Sequence, residues 1–242
     1  MTTNVYDQSS GFITSDSRWS VERDFAIMYV DDTGFDKIEE ARGKVFLFAG
    51  DSETIQLWKT FLRSGPLSSQ GRPAIEGIAI LIAEADSGRL VYHYGQDILL
   101  PDSEAPATSF AGSGARSAAQ CWQANKCAKK AVETAKSFDL FSGGEVKSFE
   151  LSTGKHNLND QIDVKDLKAA FIKKGMVMFT ANSPQQLVTV QEAAANDPRV
   201  AEIVTAIANG NVSLKAPCDA MYNQPTHADK KRLDAALDEI FA

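Results

Sequence analysis

A mixed α+β fold, with two β-sheets and helices packed outside them, is what this 242-residue sequence predicts. Short apolar runs bounded by turn residues fill most of the first half. Two stretches with helical character interrupt them. Strands follow one another directly instead of alternating with helices, which argues against a parallel doubly wound sheet.

Residues 5–15 read as strand, turn, strand, with the turn in the polar run ending at Gly11. Residues 25–30 and 44–48 are apolar strands. Asp51 or Ser52 can cap a following helix, because a short side-chain oxygen accepts from unpaired backbone N–H groups. Ile55, Trp58, Phe61 and Leu62 recur at helical spacing until Gly65-Pro66 stops the run. Residues 77–84 and 89–94 flank Asp86-Ser87-Gly88, a hairpin signature. Residues 108–111 form a short strand, and residues 115–137, rich in Ala, Lys, Gln and Glu, predict one long helix. Strands are expected at 146–151 and 176–179. Helices are expected at 188–196, 199–208 and 230–241.

Apolar residues make up 43% and charged residues 24%, ordinary values for a globular chain. A net charge of −7 speaks against a nucleic-acid partner, which needs a basic surface. Three cysteines (Cys121, Cys127, Cys218) and three histidines show no metal-ligand spacing, so neither metal nor cofactor is expected. The N-terminal residues lack a basic start followed by an apolar run, and no run approaches the roughly 20 apolar residues of a membrane helix. A cytoplasmic protein without membrane association is the expectation.

One ordered set of residues carries chemistry. Met1-Thr2-Thr3 opens the chain. Asp16-Ser17-Arg18, Lys37, Ala49-Gly50, Gly112-Ser113-Gly114 and Asp139-Leu140-Phe141-Ser142-Gly143 follow in that order. Each piece alone is weak. As a series, agreeing with the strand and helix order, they resemble the β-type proteasome subunits and their bacterial HslV-like relatives. The likeness covers residues 2–151, fades to about 181, and is slightly short between Thr2 and Asp16 and between Lys37 and Gly50.

The resemblance implies a four-layer αββα sandwich of the N-terminal-nucleophile hydrolase type over residues 1–183, with a helical C-terminal extension at 184–242. It implies a threonine-type endopeptidase in which Thr2, once Met1 is removed, supplies both nucleophile and base. A free α-amine titrates near pH 8, close to working pH. Thr3 is the rival, but family spacing favours Thr2. Lys37 is expected beside the hydroxyl with Asp16 as its carboxylate, and Gly50 N–H is expected to face the oxyanion. Ser113, Asp139 and Ser142 are implied as a supporting network, and Arg18 as structural. The family's specificity pocket maps to Trp19, Ser20, Phe48 and Ser52. Two aromatics there imply small side chains at the cleaved position, or else simply core packing.

The family also implies a homo-oligomer of stacked rings, commonly two heptamers, a peptide or unfolded-protein substrate, and a separate ATPase unfoldase. A catalytically silent ring or scaffold subunit and an amidohydrolase acting on small amides are the alternatives. The apolar stripes of the extension (Val200, Ile203, Val204, Ile207; Leu233, Leu237, Ile240, Phe241) read as core or subunit contact, and the family's ring assembly adds the expectation that these helices brace the ring or cover its outer face.

Overall fold

The computed structural model describes residues 2–65, 68–100, 108–160, 162–180 and 187–241. In chain order the elements are β1 Asn4–Asp7, β2 Phe12–Ser15, β3 Trp19–Arg23, β4 Ala26–Val30, β5 Ile38–Ala41, β6 Lys44–Asp51, α1 Ser52–Ser64, β7 Ile78–Glu84, β8 Leu90–Tyr94, β9 Ile98–Leu100, β10 Thr108–Ala111, α2 Ala115–Asn125, α3 Ala128–Lys136, β11 Lys147–Glu150, α4 Val164–Lys174, β12 Met176–Phe179, β13 Leu187–Thr189, α5 Val190–Asn196, α6 Pro198–Ala208, β14 Lys215–Ala216 and α7 His227–Phe241. No helix among the described residues is long and apolar enough to cross a membrane.

The strands form two antiparallel sheets. The first has the order β11-β2-β1-β10-β9. The second runs β13-β12-β4-β3-β14-β6-β7-β8, with β5 also on β6. Successive side chains on a strand point to opposite faces. Val5 therefore meets the helices while Tyr6 meets the other sheet. Tyr6, Ile13 and Phe149 pack against Ile38, Val45, Leu47 and Leu81 between the sheets. On the outer face of the first sheet, Val5 and Phe110 pack against Ala118 and Trp122 of α2 and Ala131 and Val132 of α3. On the outer face of the second sheet, Phe46, Phe48, Ile80 and Ile82 pack against α1, α4, α5, α6 and α7 through Trp58, Phe171, Val190, Ile203 and Leu237. The result is a four-layer αββα sandwich.

Several elements differ from the sequence expectation. The single helix expected over 115–137 is two. Lys126 adopts a left-handed backbone (φ 49°, ψ 42°) after Trp122 O accepts its N–H. The break lets α2 and α3 fold back on each other, so both lay small alanines on the sheet. β3, β5, β9, α4 and β14 were not expected. The apolar stripe of α4 (Val164, Leu167, Phe171) is diluted by four lysines, and its Asp163 cap is the clearer signal.

The expected boundary at residue 183 lies outside the described residues. From Leu187 onward the chain adds an edge strand to β12 and shares the largest hydrophobic cluster with residues of the first half. Of the two readings of these stripes, core or subunit contact, their central residues show core. Val200, Ile207, Leu233 and Leu237 are fully buried.

Candidate active site

The β1–β2 ladder continues one residue beyond the strands, because Asp16 N–H donates to Thr3 O at 3.1 Å. That register puts the Asp16 carboxylate beside the start of β1. Thr2 Oγ1 donates to Asp16 Oδ1 in a short contact, and Thr3 N–H donates to the same oxygen at 2.9 Å. Arg18 N–H (3.1 Å) and Gly143 N–H (3.0 Å) donate to Oδ2.

Lys37 is placed by the β5–β6 ladder, whose next bond runs from Phe48 N–H to Lys37 O at 2.8 Å. Its Nζ donates to Asp16 Oδ1 at 2.9 Å and Asp16 O at 2.8 Å. Both side chains are fully buried, and Nζ lies 5.4 Å from the Trp19 ring centroid. Complete burial holds the Lys37 pKa below the ordinary lysine value, although Asp16 pulls it the other way. The Thr2 hydroxyl and the Lys37 ammonium thus meet on one carboxylate oxygen.

Ser113 Oγ and Ser142 Oγ donate to Asp139 Oδ2 at 2.6 and 2.5 Å. Ser142 Oγ lies 2.7 Å from Thr3 Oγ1. Thr3 therefore belongs to the serine network, and Thr2 to the Asp16–Lys37 pair. Gly112, at φ 97°, must be glycine, because a Cβ there would fall 2.0 Å from Thr2 O. Gly50, at φ 119°, is equally constrained by Gly77 O at 2.2 Å.

Arg18 is a clamp. It grips Asp31 through both nitrogens (2.8 and 2.7 Å), donates to Leu140 O at 2.7 Å, and stacks on Tyr29. It thereby fixes the loop that carries Ser142 and Gly143. Asp31, the residue after the apolar run 25–30, carries no signal of this role in the sequence.

The four pocket residues fare differently. Trp19 and Phe48 are fully buried in the core. Trp19 Nε1 donates to Phe35 O at 2.9 Å, and Phe48 stacks on Phe46. Of the two expectations for these aromatics, the structure shows core packing. Ser20 and Ser52 flank a feature the sequence did not signal. β14 lies between β3 and β6, with Lys215 opposite Ser20 and Asp51, and Ala216 opposite Gly50. Ser52 N–H donates to Leu214 O at 3.1 Å. The edge of Gly50 where an oxyanion was expected is occupied by the chain itself.

Sequence reasoning also missed Asp97. It accepts from Gly112 N–H in a short contact, so it steadies the glycine under Thr2. Its Oδ1 is buried without a hydrogen-bond partner, and Asp219 lies against it. Burial, with help from the Asp219 charge, raises its pKa to about 6. Among the described residues no group of His, Cys, Asp and Glu could hold a metal ion.

No protein-family model and no curated protein matches the sequence. Among solved structures the chain is similar to Thiobacillus denitrificans BPH in complex with epoxomicin: 16% identity, 63% of this chain and 100% of that chain, TM-score 0.38. It is also similar to eukaryotic HslV from Trypanosoma brucei: 15% identity, 61% of this chain and 99% of that chain, TM-score 0.38.

Two outcomes follow from this geometry. Asp16→Ala strands a buried ammonium and should lower unfolding free energy by about 3–5 kcal/mol. Lys37→Met leaves Asp16 four other donors and should cost distinctly less. Denaturant unfolding of both variants checks the asymmetry. The second outcome concerns Asp97. Its folded pKa lies above the unfolded value of about 4, so the folded state holds the extra proton between these values. The stability it contributes is present below pH 4 and is lost as pH rises through 6. Asp97→Asn keeps an acceptor for Gly112 and gains a donor for Asp219. Melting curves should show it stabilised over the parent at pH 7 and little changed at pH 4.

Proposed function

We propose that the chain is an N-terminal-threonine hydrolase that cleaves peptide bonds through Thr2 and works as a subunit of a self-compartmentalising ring. The observation that carries this reading is the convergence of the Thr2 hydroxyl and the Lys37 ammonium on Asp16 Oδ1.

A threonine hydroxyl is a weak nucleophile until a neighbour takes its proton. With Met1 removed, the Thr2 amine is that neighbour. The proton passes from Oγ1 to the amine as Oγ1 bonds to the scissile carbonyl. Lys37 offsets the negative charge that develops on Oγ1, and Asp16 holds Lys37 in place. The amine then protonates the leaving group, and an ester on Thr2 remains for water to hydrolyse. Ser113, Asp139 and Ser142 position the start of β1 through Thr3. Substrate, ring partners and a separate ATPase unfoldase enter as expectations from the family resemblance. A silent ring subunit is the second reading, and the strand lying across Gly50 favours it.

Intact mass before and after treatment with an epoxyketone separates the two. Such a reagent needs both the hydroxyl and the free amine of the same residue. Loss of Met1 and an adduct that disappears in Thr2→Ala support the hydrolase. Retained Met1 and no adduct support the silent subunit. Light scattering on the same sample should give a multiple of the 26.2 kDa subunit; a monomer mass removes the ring from the proposal.

A further inference from the structure

The second sheet contains an anomaly. Interior strands normally match their neighbours in length. β3 and β6 have five and eight residues, yet the strand between them has two. It meets β3 at Ser20 alone and β6 only at Gly50 and Asp51. Further back along β6, the same edge carries β5, whose ladder ends at Leu47 opposite Ile38. β3 and β6 therefore bound a slot rather than a continuous ladder.

The slot runs past the site. Ala49, Ala79, Ala111, Cys218 and Ala220 form one buried cluster, so the turn after β14 packs against Ala49 and Ala111, the residues before Gly50 and Gly112, and Gly112 lies against Thr2. Thr2 itself is fully buried. The strand is attached by its ladder pairs with Ser20, Gly50 and Asp51, by Ser52 N–H to Leu214 O, Ser20 Oγ to Lys215 O at 3.5 Å and Ser213 Oγ to Asp51, and by the burial of Leu214, Ala216 and Cys218, with no ion pair among the described residues. Beyond Lys215 the slot opens into a cavity of about 580 Å³, lined by Val21 and Arg23 of β3 and by Asn211, Ser213, Pro217 and Tyr222. Over Val21–Arg23 the edge of β3 that faces β14 has no partner strand among the described residues.

We propose that residues 213–218 fill the slot between β3 and β6 as a built-in pseudosubstrate, keeping the Thr2 site latent until the strand withdraws. The proposal rests on the hydrolase reading for its catalytic half. Extended peptide is the fitting class because the walls offer strand edges, and main-chain bonds to an edge recognise any sequence that can lie flat. Pro217 ends the strand, since it cannot donate to a ladder. Tethering gives the strand a high local concentration, so a free peptide at micromolar level does not displace it.

The test uses the full chain and two variants outside the catalytic group. Lys215→Pro removes a ladder residue, and Ser213→Ala removes only the hydroxyl bond to Asp51. Epoxyketone labelling of Lys215→Pro should be faster than wild type by about tenfold or more, with Ser213→Ala between them. A fluorescent peptide of residues 211–219 should bind Lys215→Pro but not wild type, and should slow its labelling again. Hydrogen exchange at the Ser52 amide reports whether the strand has left, and Ser213→Ala keeps the test alive if Lys215→Pro does not fold. Equal labelling in all three proteins, with the Ser52 amide opened and no peptide bound, overturns the proposal while the hydrolase reading stands. Peptide binding without labelling, in protein whose mass shows a free Thr2 amine, sinks the hydrolase reading and leaves the peptide slot in place.

Discussion

The carboxylate of Asp16 takes hydrogen bonds from Thr2, Thr3, Arg18, Lys37 and Gly143. A charge removed from water needs this many partners, because the interior offers little other stabilisation. The donors come from the start of β1, the link into β3, the link into β5 and the loop after α3. Those four segments are fixed relative to one another by one group. Lys37 differs from the other four in bringing a charge of its own, and it depends on Asp16 far more than Asp16 depends on it.

Around that hub the chain approaches itself closely. Gly112 passes Thr2 with no room for a side chain, and Gly50 passes Gly77 in the same way. The Gly112 amide is held by Asp97, whose burial raises its pKa. Asp219, its neighbour, stands one residue after Cys218 at the exit of β14. The seat of Thr2 and the turn that follows the inserted strand thus share a single carboxyl pair.

Much of the site was legible in the sequence, but as an order of short motifs rather than as spacing. Thr2, Asp16 and Lys37 meet in space, as do Ser113, Asp139 and Ser142, although the three residues of neither set are contiguous. Turn residues marked both hairpins of the first half, and Asp51 marked the start of α1. What stayed hidden depends on tertiary context. Lys126 breaks a run of good helix formers because two short helices cover the sheet better than one long one. Trp19 and Phe48 read as pocket or core with equal ease, and only their burial decides. Asp31 and Asp97 look like any surface carboxylates until Arg18 and Gly112 are seen against them. β14 has two residues and no periodicity, so nothing local announces it; its strand geometry comes entirely from the edges it lies between.

That last contrast has a consequence for where the molecule opens. Proteins open first where buried contacts and shared hydrogen bonds are fewest. The Asp16 cluster ties four segments through five donors and cannot release one without exposing a buried charge. The strand at residues 215–216 is held by backbone and hydroxyl bonds and by core burial, with no ion pair across it among the described residues, beside a cavity of about 580 Å³. Its Leu214 and Ala216 share one hydrophobic cluster with Val200, Ile203, Leu233 and Leu237 of α6 and α7, so release of the strand costs that burial. Opening the slot therefore costs the burial of Leu214 and Ala216 but leaves the buried Asp16–Lys37 pair intact, so of the two regions the strand is the one that yields first.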